Sequence, residues 1–236
     1  MLVLALDTTT RRGSVALTRD ADLLDLELGD PALTHGQRLP GDIIRLLGRQ
    51  RVSLGDIDLF AVAAGPGSFT GLRIGIAAMQ GLALANGRGI LGVSALDALR
   101  ASAPEAGVPS EIWLVGAWMD AHRGEIFASL YRGQTPIDEP AVSAPLATLE
   151  RWEPTLAGKP VAFIGDGALA YADVIRAALP SAVIVRSVPP LAPAIARLAR
   201  DRAGDGITPP HALRPLYVRR PDAELARDRT RCKVDD

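Results

Sequence analysis

The residues of this chain that could do chemistry are few, and the first of them follow a short apolar run of strand length. Asp7, Thr8 and Thr9 come directly after Leu2–Leu6, in a turn where hydroxyls and backbone N–H groups could contact phosphate oxygens. The same side chains could instead close the turn through hydrogen bonds to the backbone. Gly165-Asp166-Gly167 is the nearest approach to a second glycine-rich loop, so turn closure is favoured and the isolated chain is predicted to bind ATP weakly or not at all.

Carboxylates and serines provide two further candidates for catalysis. Asp120 and Glu125 flank a predicted turn and resemble a pair of carboxylates for acid–base work. Five residues apart around a turn, they fit turn capping better. Ser68 and Ser94 do not complete a G-x-S-x-G nucleophile elbow, and no histidine or acid is placed by sequence to activate either hydroxyl. No catalytic residue is therefore predicted.

Metal-binding and membrane classes are not favoured by composition. His35, His122 and His211 are far apart in sequence and Cys232 is the single cysteine, so neither a metal site nor a disulfide framework is predicted. A net charge of −1 with 22% charged residues does not indicate bulk binding of nucleic acid or membrane. The N-terminus lacks the basic region of a signal peptide, and a cytoplasmic protein is predicted.

The stretch Gly65–Ala85 is the element around which the other elements are arranged. A Gly-Pro-Gly turn leads to Ser68, which is placed to cap a helix. Three glycines inside that helix, Gly71, Gly75 and Gly81, cost about 1 kcal/mol each relative to alanine, so close packing should compensate. The segment lacks the lysine of a P-loop and is shorter than the roughly 20 residues of a membrane span. A packed internal helix and a protein-contact helix both remain open.

The predicted elements form two similar halves. The first half is a three-stranded meander, a helix at His35–Gln50, a strand at Asp58–Ala64, the central helix, and a further strand and helix. Pro104–Ser110 is the predicted boundary, which gives lobes at 1–103 and 104–210 and a tail at 211–236. The second half is predicted to contain strands at Ile112–Trp118, Glu125–Tyr131, Val161–Ile164 and Val183–Val188, an irregular connection at Pro136–Pro145, and helices from Gly165 to about Leu179 and from Pro190 to Arg202.

Six stretches resemble the bacterial TsaB (YeaZ) family, in the family's order and from end to end. They are LALDTT at Leu4–Thr9, HGQRLP at His35–Pro40, GPGSFTGLRIGIAAMQGLAL at Gly65–Leu84, GVSALDAL at Gly92–Leu99, MDAHRGEIF at Met119–Phe127 and PLYVRR at Pro215–Arg220. The resemblance implies an α/β fold with the two-lobed actin-like ATPase (ASKHA, ribonuclease H-like) architecture, in which mixed sheets are flanked by helices.

The resemblance also implies a role. Members dimerise with the transferase TsaD and, with the small ATPase TsaE, support threonylcarbamoyl transfer to the adenosine next to the anticodon of tRNA. A non-catalytic scaffold subunit is therefore expected, forming a homodimer when TsaD is absent and meeting tRNA only through the complex. No cofactor is expected beyond weak or interface-only ATP or ADP. The alternatives are a small-molecule kinase or ATPase of the same fold, and a hydrolase of glycoprotease type.

The predicted partner interface lies on two helices of the first lobe. The helices His35–Gln50 and Ser68–Ala85 are expected to lie side by side and to present apolar contacts, glycines that allow close approach, and one charge. These residues are Leu39, Ile43, Leu72, Ile76 and Met79, then Gly71 and Gly75, then Arg73. The arginines of the tail, among them Arg214, Arg219 and Arg220, are expected in a solvated terminus.

Overall fold

In the computed structural model, which describes residues 1–218, the first half of the chain forms a five-stranded mixed sheet. The first three strands are antiparallel, the last two are parallel to the first, and the spatial order is β3-β2-β1-β4-β5. They are β1 (Leu2–Asp7), β2 (Ser14–Arg19), β3 (Asp22–Leu28), β4 (Leu59–Gly65) and β5 (Ile90–Ser94). The antiparallel meander predicted from the alternating sequence is confirmed.

The first half of the chain also contains three capped helices. They are α1 (His35–Gln50), α2 (Phe69–Ala85) and α3 (Ala95–Ala101). Thr34 caps α1 in a capping box with Gln37, Ser68 caps α2, and Ser94 caps α3. Each hydroxyl accepts a hydrogen bond from a backbone N–H that would otherwise lack a partner. The predicted bounds of α1 and the predicted Ser68 cap are confirmed.

The second sheet repeats the connectivity of the first. Strands β6, β7 and β8 are antiparallel, β9 and β10 continue parallel to β6, and the order is β10-β9-β6-β7-β8. The predicted duplication of one α/β unit is confirmed. Its elements are β6 (Leu114–Asp120), β7 (Ile126–Arg132), β8 (Thr135–Ser143), α4 (Pro145–Leu156), β9 (Val161–Ile164), α5 (Asp166–Ala170), α6 (Ala172–Ala178), β10 (Val183–Ile184), α7 (Ala192–Asp201) and α8 (Ala203–Gly206).

Three predicted elements of the second half are wrong in detail. The expected irregular connection is strand β8, in which prolines are tolerated because the strand lies at the edge of the sheet. The helix expected to run to Leu179 is divided at Tyr171 into α5 and α6. The strand expected to run to Val188 has only two residues. Helix α4, which follows β8, was not predicted.

A continuous apolar core joins the two sheets. It contains residues of both, such as Ala5 and Ala117, together with Leu96 of α3 and Ile195 of α7. Helix α7, which the predicted boundaries place in the second lobe, packs against β1 and β2 of the first sheet. The chain therefore crosses back to the first lobe after the second sheet is complete.

The last described residues form a strap along α2, here defined as residues 207–218. Thr208 pairs with Ile90 at the edge of the sheet. The side-chain amide of Gln80 donates to the carbonyls of Pro210 (2.7 Å) and Leu213 (3.1 Å), and the backbone N–H of Leu216 donates to the carbonyl of Ala64 at 2.6 Å. Arg214 is exposed, as expected for a solvated tail, although residues 211–218 lie along α2; Arg219, Arg220 and the arginines after them lie outside the described residues. Among the described residues, the helices are too short or too polar to cross a membrane.

Candidate partner interface and inter-lobe cleft

Helices α1 and α2 cover the same face of the first sheet. The five apolar residues predicted as partner contacts are at most 6% exposed and belong to the core between these helices and the sheet. They are Leu39, Ile43, Leu72, Ile76 and Met79. The prediction that they present a surface is wrong, because these five side chains lie on the side of each helix that faces the sheet.

The glycines of α2 meet the end of strand β1 rather than a partner helix. A Cβ added to Gly71 would lie closer than 3.0 Å to the carbonyl oxygen of Thr8, and one added to Gly75 would lie equally close to the Thr8 hydroxyl. That hydroxyl donates a hydrogen bond to the carbonyl of Gly71 at 2.8 Å. The close approach that the sequence predicts is real, but it occurs inside this chain, so the assignment of Gly71 and Gly75 to a partner contact is corrected.

The opposite sides of α1 and α2 are open to solvent. Ile44 and Leu84 are each 70% exposed, and a Cβ on Gly48 or Gly81 would meet nothing within 4 Å. We use the name outer face for eight of the exposed residues of the two helices: Pro40, Ile44 and Gly48 on α1, and Phe69, Arg73, Ala77, Gly81 and Leu84 on α2. Small and apolar residues of this kind allow another helix to approach closely. The exposed Arg45 and Arg49 of α1 instead pair with Glu27 and Asp25 of β3.

Arg73 lies exposed at the N-terminal end of the outer face. Its guanidinium carbon is 3.9 Å from the centre of the Phe69 ring, and its Nε donates to the hydroxyl of Tyr217 at 3.2 Å. The Tyr217 ring is in turn 5.5 Å from that of Phe69. Arg73 therefore ties the strap to α2, and only the tertiary structure could show that Tyr217 belongs to this site.

The turn after β1 uses its polar groups internally. Asp7 accepts hydrogen bonds from the backbone N–H of Thr9 (2.7 Å), from the Thr9 hydroxyl (2.6 Å) and from the Thr10 hydroxyl (2.6 Å). Asp7, Thr8 and Thr9 are all buried. These bonds support the turn-closing interpretation over the phosphate-contacting one.

A cleft of about 1070 Å³ separates the two lobes. Thr9, Thr10 and Arg11 line it from the first lobe, Asp120 and Asp166 from the second. Its size is that of a small-molecule pocket. Across the described residues, no group of three histidine, cysteine, aspartate or glutamate side chains is arranged to hold a metal ion.

Asp120 is paired differently from the sequence prediction. Its carboxylate accepts from the backbone N–H of His122 at 2.8 Å and therefore caps the turn, as the alternative to catalysis expected. Its own backbone N–H donates to Asp166 at 3.0 Å, and Asp166 also accepts from the N–H of Gly167 at 2.9 Å. Burial raises the pKa of the Asp166 carboxyl above its ordinary value. The neighbour of Asp120 in space is thus a residue 46 positions away.

Replacing Asp166 by asparagine is expected to stabilise the protein at neutral pH. Because the pKa of Asp166 is raised from 3.8, the folded chain binds a proton more tightly than the unfolded chain, and stability falls as pH rises through that window. The asparagine amide would keep an oxygen for both N–H donors without the buried charge. Thermal unfolding should show a higher Tm for Asp166→Asn at pH 7, by roughly 2–4 °C for each kcal/mol, and a smaller gain at pH 4. A gain equal at both pH values would contradict the assignment.

The two candidate nucleophiles serve as helix caps. The Ser68 hydroxyl accepts from the N–H of Gly71 at 3.2 Å and the Ser94 hydroxyl from the N–H of Asp97 at 3.3 Å. His35 lies against Arg38, with its Nδ1 2.8 Å from the guanidinium, and burial together with this cation lowers its pKa. The three groups are engaged in holding the first lobe together.

Comparison with known proteins defines first the class and then the family. A putative N-acetylmannosamine kinase from Listeria monocytogenes has the same fold, with a TM-score of 0.51 at 9% sequence identity. The match covers 87% of this chain and 100% of the kinase chain. Together with the duplicated mixed sheets, this places the chain among the two-lobed actin-like ATPase folds.

Closer relatives carry a more specific description. Residues 31–198 match the family "TsaD: tRNA N6-adenosine threonylcarbamoyltransferase". One relative is the tRNA threonylcarbamoyladenosine biosynthesis protein TsaB of Bacillus subtilis, which is 27% identical to this chain. The match covers 95% of this chain and 96% of the Bacillus subtilis protein. A Pseudomonas aeruginosa structure described as similar to peptidase YEAZ is 30% identical, with a TM-score of 0.76 over 92% of this chain and 99% of that one. The chain belongs to the TsaB/YeaZ family and takes part in tRNA threonylcarbamoyladenosine biosynthesis.

Proposed function

We propose that this chain is a non-catalytic subunit that binds a TsaD-class transferase and supports its transfer of threonylcarbamoyl to tRNA. The observation that carries the proposal is the outer face, where Ile44 and Leu84 are each 70% exposed on adjacent helices beside open glycines. Large apolar side chains exposed on two adjacent helices fit a contact with another protein. A standard interface of roughly 800 Å² per partner is enough for stable association.

The polar side chains considered as candidates for catalysis make structural hydrogen bonds, which supports a scaffold role rather than a catalytic one. The oxygens of Asp7 bind the turn that contains them, and Ser68 and Ser94 cap helices. Groups held in structural hydrogen bonds are poorly placed to activate a substrate. Within the complex, TsaE and tRNA would be reached through the transferase, and a homodimer would use the same outer face when the transferase is absent.

Charged substitutions on the outer face are expected to abolish association with the transferase. The variant carrying Ile44→Asp and Leu84→Asp places two carboxylates in the centre of the contact, where burying an unpaired charge is unfavourable. Loss of two anchor side chains should weaken binding by several hundred-fold, since each anchor typically contributes about 2 kcal/mol or more and about 1.4 kcal/mol corresponds to tenfold. Calorimetric titration of the purified TsaD-class protein measures this.

A control variant separates a lost contact from a lost fold. Leu146→Asp changes a leucine that is 55% exposed on α4 of the second lobe, away from the outer face. It should bind the transferase like the wild-type chain. Equal binding by the outer-face variant and this control would exclude the outer face as the contact surface.

A kinase or ATPase is the second candidate, because the inter-lobe cleft has the volume of a small-molecule site. The internal hydrogen bonds of Asp7 argue against tight nucleotide binding. Calorimetry of the isolated chain with Mg-ATP should show weak or no binding. Tight binding that disappears in Asp7→Ala, together with ATP turnover, would favour this second candidate.

A further inference from the structure

The strap ends at the mouth of the inter-lobe cleft. The backbone N–H of Leu216 donates to the carbonyl of Ala64 at 2.6 Å, and the Tyr217 hydroxyl accepts from Arg73, so the strap is fixed beside the N-terminal end of α2. Val218 packs against the core that joins the two sheets, and it lines the cleft together with Leu216 and Tyr217. The chain therefore leaves the strap inside the cleft rather than on the open surface of the first lobe.

The opposite wall of the cleft, on the second lobe, is acidic. Asp120 and Asp166 line it, and the side chain of Asp120 is 30% exposed. Within residues 1–218, no arginine or lysine forms an ion pair with either carboxylate. The Nδ1 atom of His122 lies 3.3 Å from Asp120, and this ring is charged only when it is protonated. Two neighbouring carboxylates without a permanent cation give the cleft a negative potential.

The sequence places a cationic pair directly after the strap. Arg219 and Arg220 follow Val218, and two residues of extended chain span about 7 Å. Because Val218 and Asp120 line the same cavity, a short continuation of the chain is enough to bring a guanidinium to the acidic wall. Arginine suits this position, since its planar group can bind a carboxylate through two hydrogen bonds.

The remaining lining of the cleft suits a polypeptide segment better than a nucleotide. Apolar side chains, among them Leu33 of the first lobe and Met119 of the second, contribute to both walls. A nucleotide would bring negative phosphates towards Asp120 and Asp166, where like charges repel. A segment that carries both cationic and apolar side chains meets no such repulsion.

We propose that the inter-lobe cleft is the docking site of this chain's own C-terminal segment, in which the Arg219–Arg220 pair crosses the cleft and binds Asp120 of the second lobe. The segment then links the strap of the first lobe to the turn after β6 and holds the two walls at a fixed separation. It also fills volume that a small molecule would need. The inference concerns the isolated chain and does not depend on the proposed function.

A cycle of variants in the full chain tests the ion pair. Arg219→Ala with Arg220→Ala, and separately Asp120→Asn, should each lower the Tm by about 2 °C, the size expected for one partly exposed pair in a chain of this length. Asparagine keeps the oxygen that accepts from the N–H of His122, so the turn remains capped. All three changes together should lower the Tm no further than the larger of the two separate effects, because one interaction can be lost only once.

Two further variants serve as controls for this cycle. Arg227→Ala with Arg229→Ala removes the same charge from the same segment farther from Val218, and its Tm should equal that of the wild-type chain. Arg11→Ala removes an exposed cation that lines the first-lobe wall of the cleft. Its effect should add to that of Asp120→Asn, because Arg11 is not the proposed partner.

A spin label tests the position of the segment independently of stability. Cys232 is the only cysteine of the chain, so Cys232→Ser with Asp222→Cys gives a single labelling site two residues beyond Arg220. The attached nitroxide should broaden the amide NMR signals of the turn after β6, at residues 121–124. The amide of Gly158 should stay sharp, because it precedes the end of β9 that pairs with the start of β6, away from this turn.

The outcomes decide for or against docking. Broadening of the turn that Asp120→Asn and the Arg219–Arg220 variant both abolish, together with non-additive Tm losses, supports the inference. A turn that stays sharp in the labelled chain overturns it, and so do additive Tm losses, broadening that these variants leave unchanged, or coupling of Asp120 to Arg11 instead. The transferase is absent from every arm, so these results stand whether or not the proposed function is correct.

Discussion

Leaving this chain out of a reconstituted reaction is expected to reduce threonine incorporation into tRNA to background. The reaction would contain tRNA, ATP, bicarbonate, labelled threonine, the carbamoyl-adenylate synthase, TsaD and TsaE. The physical reason is that the transferase would otherwise leave the apolar surface that we propose to meet Ile44 and Leu84 exposed to water. A subunit that buries such a surface stabilises the bound conformation by mass action.

The arms of this experiment assign the roles of the two proteins. The chain without TsaD should give no incorporation, because it is proposed to be non-catalytic. Leu146→Asp should restore activity, and the variant with Ile44→Asp and Leu84→Asp should not. Full activity from TsaD and TsaE without this chain would contradict the scaffold role, and nucleotide binding in the cleft would then become the main question.

Gly75→Leu is expected to destabilise the fold strongly, in contrast to the same change six residues later. A side chain at Gly75 collides with the Thr8 hydroxyl and breaks the hydrogen bond from that hydroxyl to Gly71. Overpacking costs about 1–3 kcal/mol and loss of a buried hydrogen bond about 1 kcal/mol more. Removing a helical glycine returns about 1 kcal/mol, so the net effect remains unfavourable.

Gly81→Leu is the matched control in the same helix. A Cβ there meets nothing within 4 Å, so the gain in helix propensity of about 1 kcal/mol should appear as equal or higher stability. Thermal unfolding followed by circular dichroism should show a lower Tm for Gly75→Leu and an equal or higher Tm for Gly81→Leu. Similar Tm values for the two variants would show that Gly75 does not pack against Thr8 as described. Because Gly81 lies on the outer face, its variant should also bind the transferase more weakly while remaining folded.

Much of the fold could be predicted from local patterns. The helix at His35–Gln50 has apolar residues at helical spacing. Ser68 and Ser94 are the N-caps of α2 and α3. These signals act over a few residues and survive in any tertiary context. Two halves that each start with a hairpin ending in an acidic turn indicated the duplication, and the two sheets have the same strand order. The motif from Gly65 to Leu84 indicated the family, which the relatives confirm.

The orientation of helix α2 and the contacts between residues far apart in the chain could be seen only in the tertiary structure. Helix α2 is apolar on nearly all sides, so its sequence does not indicate which side meets the sheet; contact with Thr8 shows that Gly71 and Gly75 face inward. Strand β8 contains prolines that predict a loop, and only its edge position permits pairing. The approach of Asp166 to Asp120 and of Tyr217 to Arg73 joins residues far apart in the chain. The sequence by itself determined the helices and strands of the first lobe, their caps and the family, because those signals are local. The tertiary structure decided which residues are exposed for a partner, because exposure depends on what packs against each side of a helix.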